Sequence, residues 1–227
     1  MYRELSFPKI HLTLQSLKQR ITERFPESSL RKVADELEVL SSETEAKAKH
    51  IAEPHTNLRI LIGFTIATAI LLIGLSINLL DFKPQKFAIQ EALPLLEAVL
   101  NEIIIFGAAI FFLFSLETRI KRAKALKALH EFRALAHVID MHQLTKDNED
   151  QKNNTASSPL RSMSKHELSR YLDYCSEMLS LIGKLSAIYA QNLPDSEVLS
   201  AVNDVEDLCN SLSRKIWQKI MIIKQNV

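Results

Sequence analysis

The longest stretch without a charged residue, Ile60 to Leu80 (ILIGFTIATAILLIGLSINLL), runs for 21 residues. A hydrocarbon layer about 30 Å thick takes roughly 20 residues of helix at 1.5 Å rise each, so this stretch reads as a membrane crossing. A second apolar run, Ile103 to Leu116, has only 14 residues, a length that would also suit the core helix of a soluble domain. Extended back to Ala98 it reaches 19 residues with Glu102 as its one acid, and it reads as the second crossing. The expected fold is all-α: a two-helix transmembrane hairpin with a cytoplasmic, coiled-coil-like α-helical bundle.

The expected organisation along the chain follows from helix breakers and apolar spacing. Residues 1–57 supply N-terminal cytoplasmic helices and 58–117 the hairpin, with crossings at about 60–80 and 98–116. Residues 118–145 form a helical stalk continuing the second crossing, 146–163 a flexible linker, and 164–227 a C-terminal helical hairpin. In the first part, Ile10, Leu14, Leu17, Ile21 and Phe25 recur at helical spacing up to Pro26. After the caps Ser28 and Ser29, Leu30, Val33, Leu37, Leu40, Thr44 and Ile51 do so up to Pro54. Pro94 interrupts a helical rhythm that leads into the second crossing, which implies a kink there. The linker TKDNEDQKNNTASS has no large apolar residue and so too little surface to bury. Beyond it, Leu168, Leu172, Cys175, Leu179, Ile182, Leu185 and Tyr189 mark one helix. Val198, Val202, Val205, Cys209, Leu212, Ile216 and Ile223 mark another, joined to the first through Pro194 with Asp195 or Ser196 as cap. So short a connection makes the two antiparallel neighbours.

Composition removes several function classes. Of four glycines, Gly63, Gly74 and Gly107 fall in the crossings and only Gly183 elsewhere, whereas phosphate-cradling loops need glycines in clusters. A net charge of +1 gives no basic excess for nucleic acid. Cys175 and Cys209 have neither a CxxC nor a zinc spacing, and read as buried thiols of a reducing compartment. The first residues lack the apolar core of a signal peptide, so Ile60 to Leu80 is expected to act as an internal targeting segment.

Orientation follows from the basic residues that flank the crossings. Lys47, Lys49 and Arg59 precede the first, and Arg119, Lys121, Arg122, Lys124 and Lys127 follow the second, while the segment between holds only Lys83 and Lys86. The excess of positive charge places both termini in the cytoplasm, in the inner membrane if the source is bacterial. The cluster Arg119, Lys121, Arg122, Lys124 and Lys127 is also a candidate for lipid head groups.

Three sets of residues are candidates for specific roles. In the stalk, His130, Arg133, His137 and Asp140 stand at steps of three, four and three and share one helical face. On the helix after the linker, Arg170, Asp173, Tyr174, Glu177 and Lys184 are polar neighbours one or two turns apart, and if the two faces met, His137, Asp140, Glu177 and Lys184 would form one polar pocket. Such a pocket suits a register-fixing polar layer, a ligand, or a metal whose identity the residues do not specify. In the first crossing, Gly63, Ala67 and Gly74 make a small-residue packing stripe, and Glu102 in the second is an intramembrane acid.

No catalytic motif is present, and no cofactor is implied. The leading expectation is a non-enzymatic double-pass membrane protein that contacts lipid and whose helical module scaffolds or transmits by binding itself, as a homo-oligomer, or a helical protein partner. One alternative is an oligomeric channel or pore-forming effector; two crossings plus cytoplasmic helices are similar in architecture to the two-helix membrane effectors of bacterial conflict systems. The other is a metal- or ligand-sensing bundle.

Overall fold

Helix stops in the sequence coincide with helix ends in the computed structural model, which describes residues 4–79, 89–144 and 163–225. Among the described residues the secondary structure is helical throughout: α1 (Phe7–Arg24), α2 (Ser29–Ala52), α3 (Thr56–Leu79), α4 (Ile89–Leu144), α5 (Lys165–Asn192) and α6 (Ser196–Gln225). α1 ends one residue before Phe25 and Pro26, where a proline ring cannot continue the ladder. α2 ends at Ala52, two residues short of Pro54. The helix runs through Pro94, so α4 begins at Ile89, ahead of the expected crossing. Ser164 and Glu167 close a capping box in which each side chain engages the other's backbone N–H, and α5 starts there. The expected linker at 146–163 lies outside the described residues except for Met163, as do the connection at 81–88 and the last two residues.

The chain divides into two units, Met1–Ala52 with Arg122–Val227, and Glu53–Lys121. The first is an all-α bundle of five helical segments: α1, α2, the last part of α4, α5 and α6. Its core is built from the stripes read above. Leu14, Leu17 and Ile21 of α1, Leu30 and Leu37 of α2, and Ile216 of α6 are fully buried. The same core takes Leu129, Phe132, Ala136 and Ile139 from α4. α5 is the most enclosed element, because α1, α2 and α6 all pack on it. It therefore buries Tyr171, Tyr174, Met178, Leu181 and Ile188 in addition to its predicted stripe. Side-chain ties lace the bundle. Lys18 of α1 meets Glu38 at 2.7 Å and Asp35 at 2.9 Å on α2, and Phe132 of α4 lies edge-on to Tyr189 of α5.

The second unit has the reverse distribution of apolar groups. Among the described residues two helices are long and apolar enough to cross a membrane by length and composition, with 11% of one apolar window and 0% of the other buried. Ile60, Phe64, Ile70, Ile104, Phe111 and Phe112 all point outward. Where α3 starts, the buried Glu117 carboxylate of α4 accepts the backbone N–H of His55 at 3.3 Å. It also meets Lys121 Nζ at 2.9 Å and Arg59 Nε at 3.7 Å.

Candidate functional site

α1 and α5 run antiparallel. Leu5 donates its N–H to Gln191 Oε1 at one end of the pair, and the Phe25 ring lies edge-on to Tyr171 and Tyr174 at the other. The inner faces of both helices are apolar and buried, so their polar residues line up along the outer seam. Nearer the Phe25 end, Arg20 bridges to Glu177, Nη2 to Oε2 at 2.7 Å and Nη1 to Oε1 at 3.4 Å, and its guanidinium sits 5.7 Å over the Tyr174 ring. Both charged groups keep over two-fifths of their side-chain surface in solvent.

Two open hollows flank that bridge. One, of about 470 Å³, is lined by Arg20, Glu23, Arg24, Arg170 and Tyr174. The other, of about 280 Å³, is lined by Lys9, Ile10, Thr13, Glu177, Ser180 and Lys184 with Leu181 at its floor. The two lie in line along the α1–α5 groove, divided by the bridge, and their linings hold five cationic and two anionic residues. Arg170 is 3.7 Å from Asp173, a loose contact, and Lys184 donates to Ser180 Oγ at 2.6 Å.

Glu177 and Lys184 thus face α1. The other candidate face lies on α4, where His130 and Arg133 edge a hollow of about 100 Å³ shared with Asp204 and Val205 of α6. His137 is exposed and Asp140 accepts from Gln143 Nε2 at 2.6 Å. The structure places these two sets on different helix pairs and assigns Glu177 to Arg20 instead. Among the described residues no group of three or more His, Cys, Asp or Glu is arranged to hold a metal ion.

Of the basic cluster after the second apolar stretch, Arg119, Lys124 and Lys127 are exposed. Lys121 pairs with Glu117 within the apolar unit, and Arg122 pairs with Asp195 at 2.8 Å within the bundle. Gly63 and Ala67 lie on the exposed side of α3, whereas Ile62 and Ala69 are its buried positions. A Cβ added at Gly63 or Gly74 would meet nothing within 4 Å. Glu102 is half-buried on α4.

Sequence reasoning missed the α1 side of the groove. Arg20 and Arg24 stand one turn apart, and Arg170, Glu177 and Lys184 recur at seven-residue steps. Those spacings were visible, but nothing local says that the two series face each other. No family model, curated protein or solved structure matches the chain.

Proposed function

We propose that this is a non-enzymatic integral membrane protein whose hairpin, α3 with the apolar part of α4, anchors a cytoplasmic helical interaction module. The module acts as a scaffold or signal transmitter. The observation that carries this reading is the inverted burial of the two units. Leucines and phenylalanines are inside the bundle, yet 0–11% of the apolar windows of the candidate crossings is buried. So large an exposed apolar surface is unfavourable in water at about 25 cal/mol per Å², and lipid relieves that cost. The basic residues on either side of the hairpin support a cytoplasmic position for both termini, and exposed Arg119, Lys124 and Lys127 support contact with anionic head groups.

The test is membrane fractionation combined with thiol labelling in sealed vesicles of both orientations. The protein should resist alkaline carbonate extraction. Gln218→Cys should label from the cytoplasmic face, and Lys83→Cys only from the other. Release by carbonate, or labelling of both positions from one face, overturns the topology. A homo-oligomer is supported by the open space beside Gly63 and Gly74, since glycine lets a second helix approach closely. Cross-linking in membranes should then trap a dimer or larger species through Ala67→Cys, and Glu102-dependent ion flux in liposomes distinguishes a channel from a scaffold.

A further inference from the structure

We infer that the groove between α1 and α5 is a docking site for an amphipathic helix of a partner protein that carries carboxylates two heptads apart with a neutral residue between them. The inference rests on the interaction-module reading, and on the bundle alone rather than on membrane insertion. The groove's dimensions are those of a helix seat. Lys9 and Arg24 mark its ends on α1, and the fifteen helical steps between them extend about 22 Å. On the α5 wall Arg170, Glu177 and Lys184 follow each other at seven-residue steps, roughly 10 Å apart. A helix laid along the groove presents each of its flanking positions at that same interval, as coiled-coil partners do. Only the edges of the buried Ile10, Tyr174 and Leu181 reach the floor, a narrow apolar strip for the docked helix's inner face.

Charge selects the occupant. Arg24 feels the Glu167 carboxylate only through space, and Arg170 has the loose 3.7 Å contact to Asp173. These two guanidiniums stand on opposite walls of the larger hollow, where an incoming carboxylate would meet both. In the middle, Arg20 is already held by Glu177, so that level calls for a neutral residue. An acid at every second heptad flank, with a neutral position between, meets this pattern. A nucleic acid backbone presents charge continuously and would set phosphates against Glu23 and Glu177. That disfavours a nucleic acid relative to a helix with spaced acids.

The experiment is fluorescence anisotropy with the full-length protein in non-ionic detergent. The probe is a labelled 21-residue synthetic helix with leucine at the core positions and glutamate alternating with glutamine at successive heptad flanks, and the control has lysine in place of each glutamate. The acidic helix should bind saturably and the basic one should not. The double reversal Arg24→Glu with Arg170→Glu should weaken the acidic helix at least tenfold and confer binding of the basic helix. If the double variant melts earlier than the parent, Arg24→Gln replaces it, with at least a twofold loss expected. No saturable binding overturns the inference, as does binding indifferent to these substitutions. Tighter groove-dependent binding of a 20-base-pair RNA or of phosphatidylglycerol vesicles overturns it too. Photo-cross-linkers at Thr13 in the groove and at Leu199 on α6 separate the two readings in native membranes. Partner adducts at Leu199 alone would remove the groove and leave the module, adducts at neither would remove both, and adducts at Thr13 support the groove when excess acidic helix suppresses them and the basic helix does not.

Discussion

Arg122 holds Asp195 in a two-pronged grip, with Nε 3.0 and 3.1 Å from the two carboxylate oxygens and Nη2 2.8 Å from Oδ2. The same carboxylate accepts the backbone N–H groups of Glu197 at 3.0 Å and Val198 at 3.2 Å. One acid therefore caps α6 and fastens its start to α4. Arg122 keeps the Asp195 carboxyl below its ordinary pKa. A depressed folded value contributes stability that is present above the unfolded pKa, about 3.9, and is lost as pH falls through the folded one. Asp195→Ala should destabilise the bundle by about 1–2 kcal/mol at neutral pH, the cost of a lost cap. Asp195→Asn should flatten the loss of stability below about pH 4. Urea unfolding in detergent, followed by far-UV circular dichroism from pH 6 to pH 2.5, measures both.

The two sides of α4 in the bundle should respond very differently to truncation. Phe132 is 2% exposed and edge-on to Tyr189 at a centroid distance of 6.3 Å. Phe132→Ala should cost about 3–5 kcal/mol through lost burial and the cavity left behind. His137, one turn further and outward, should cost less than about 0.5 kcal/mol as His137→Ala. Paired urea titrations check the contrast; a large loss for His137→Ala would mean that it belongs to a buried layer.

The helices were legible where their signals were local. α5 ends at Asn192 as Pro194 implies, since a proline acts within a few residues of a helix end, while its start at Lys165 is held by the Ser164–Glu167 capping box, a local signal that the apolar spacing did not mark. The stripes of α1 and α6 were equally plain, since each presents mainly one buried face and a 3.6-residue period records one face well. α5 packs on three helices, and its buried tyrosines carry a hydroxyl, so its true enclosure is broader than its period suggests. The short connection through Pro194 made α5 and α6 legible as neighbours, and they pack together, but partners between helices distant in sequence were not legible. Glu177 meets Arg20 at a sequence separation of 157, and only tertiary packing decides that α1, rather than the His137 face of α4, lies beside it.

Burial also sets the reactivity of the two thiols. Cys175 is fully buried and Cys209 is 3% exposed, and in both cases desolvation pushes the pKa up to about 12. The thiolate is the nucleophile, so both side chains should be inert while the bundle is folded. Iodoacetamide at pH 8 should leave the native protein unmodified over an hour and alkylate two sites in 6 M guanidinium, as read by intact mass. Modification of native protein at either position would mean that α5 and α6 separate locally.

The Arg20–Glu177 bridge should contribute little to folding despite its 2.7 Å contact, because the two side chains remain 47% and 41% exposed. Water screens such a pair, and fixing two long side chains consumes most of what attraction remains. A double-mutant cycle with Arg20→Ala and Glu177→Ala should give a coupling below about 1 kcal/mol, smaller again in 0.5 M salt as exposed charges are screened. The geometry points instead to a positional role. By occupying the middle of the groove, Arg20 and Glu177 neutralise each other and leave Arg24 and Arg170 as the charges that face outward. Breaking the bridge with Glu177→Gln should then leave the melting temperature within about 2 °C, a shift that matches a stability change below about 1 kcal/mol. The same substitution should tighten the acidic helix, since it removes a carboxylate from the groove and leaves Arg20 uncompensated. Melting and anisotropy on one preparation decide the point, and a weakened helix with an unchanged melt would show that Glu177 itself contacts the ligand.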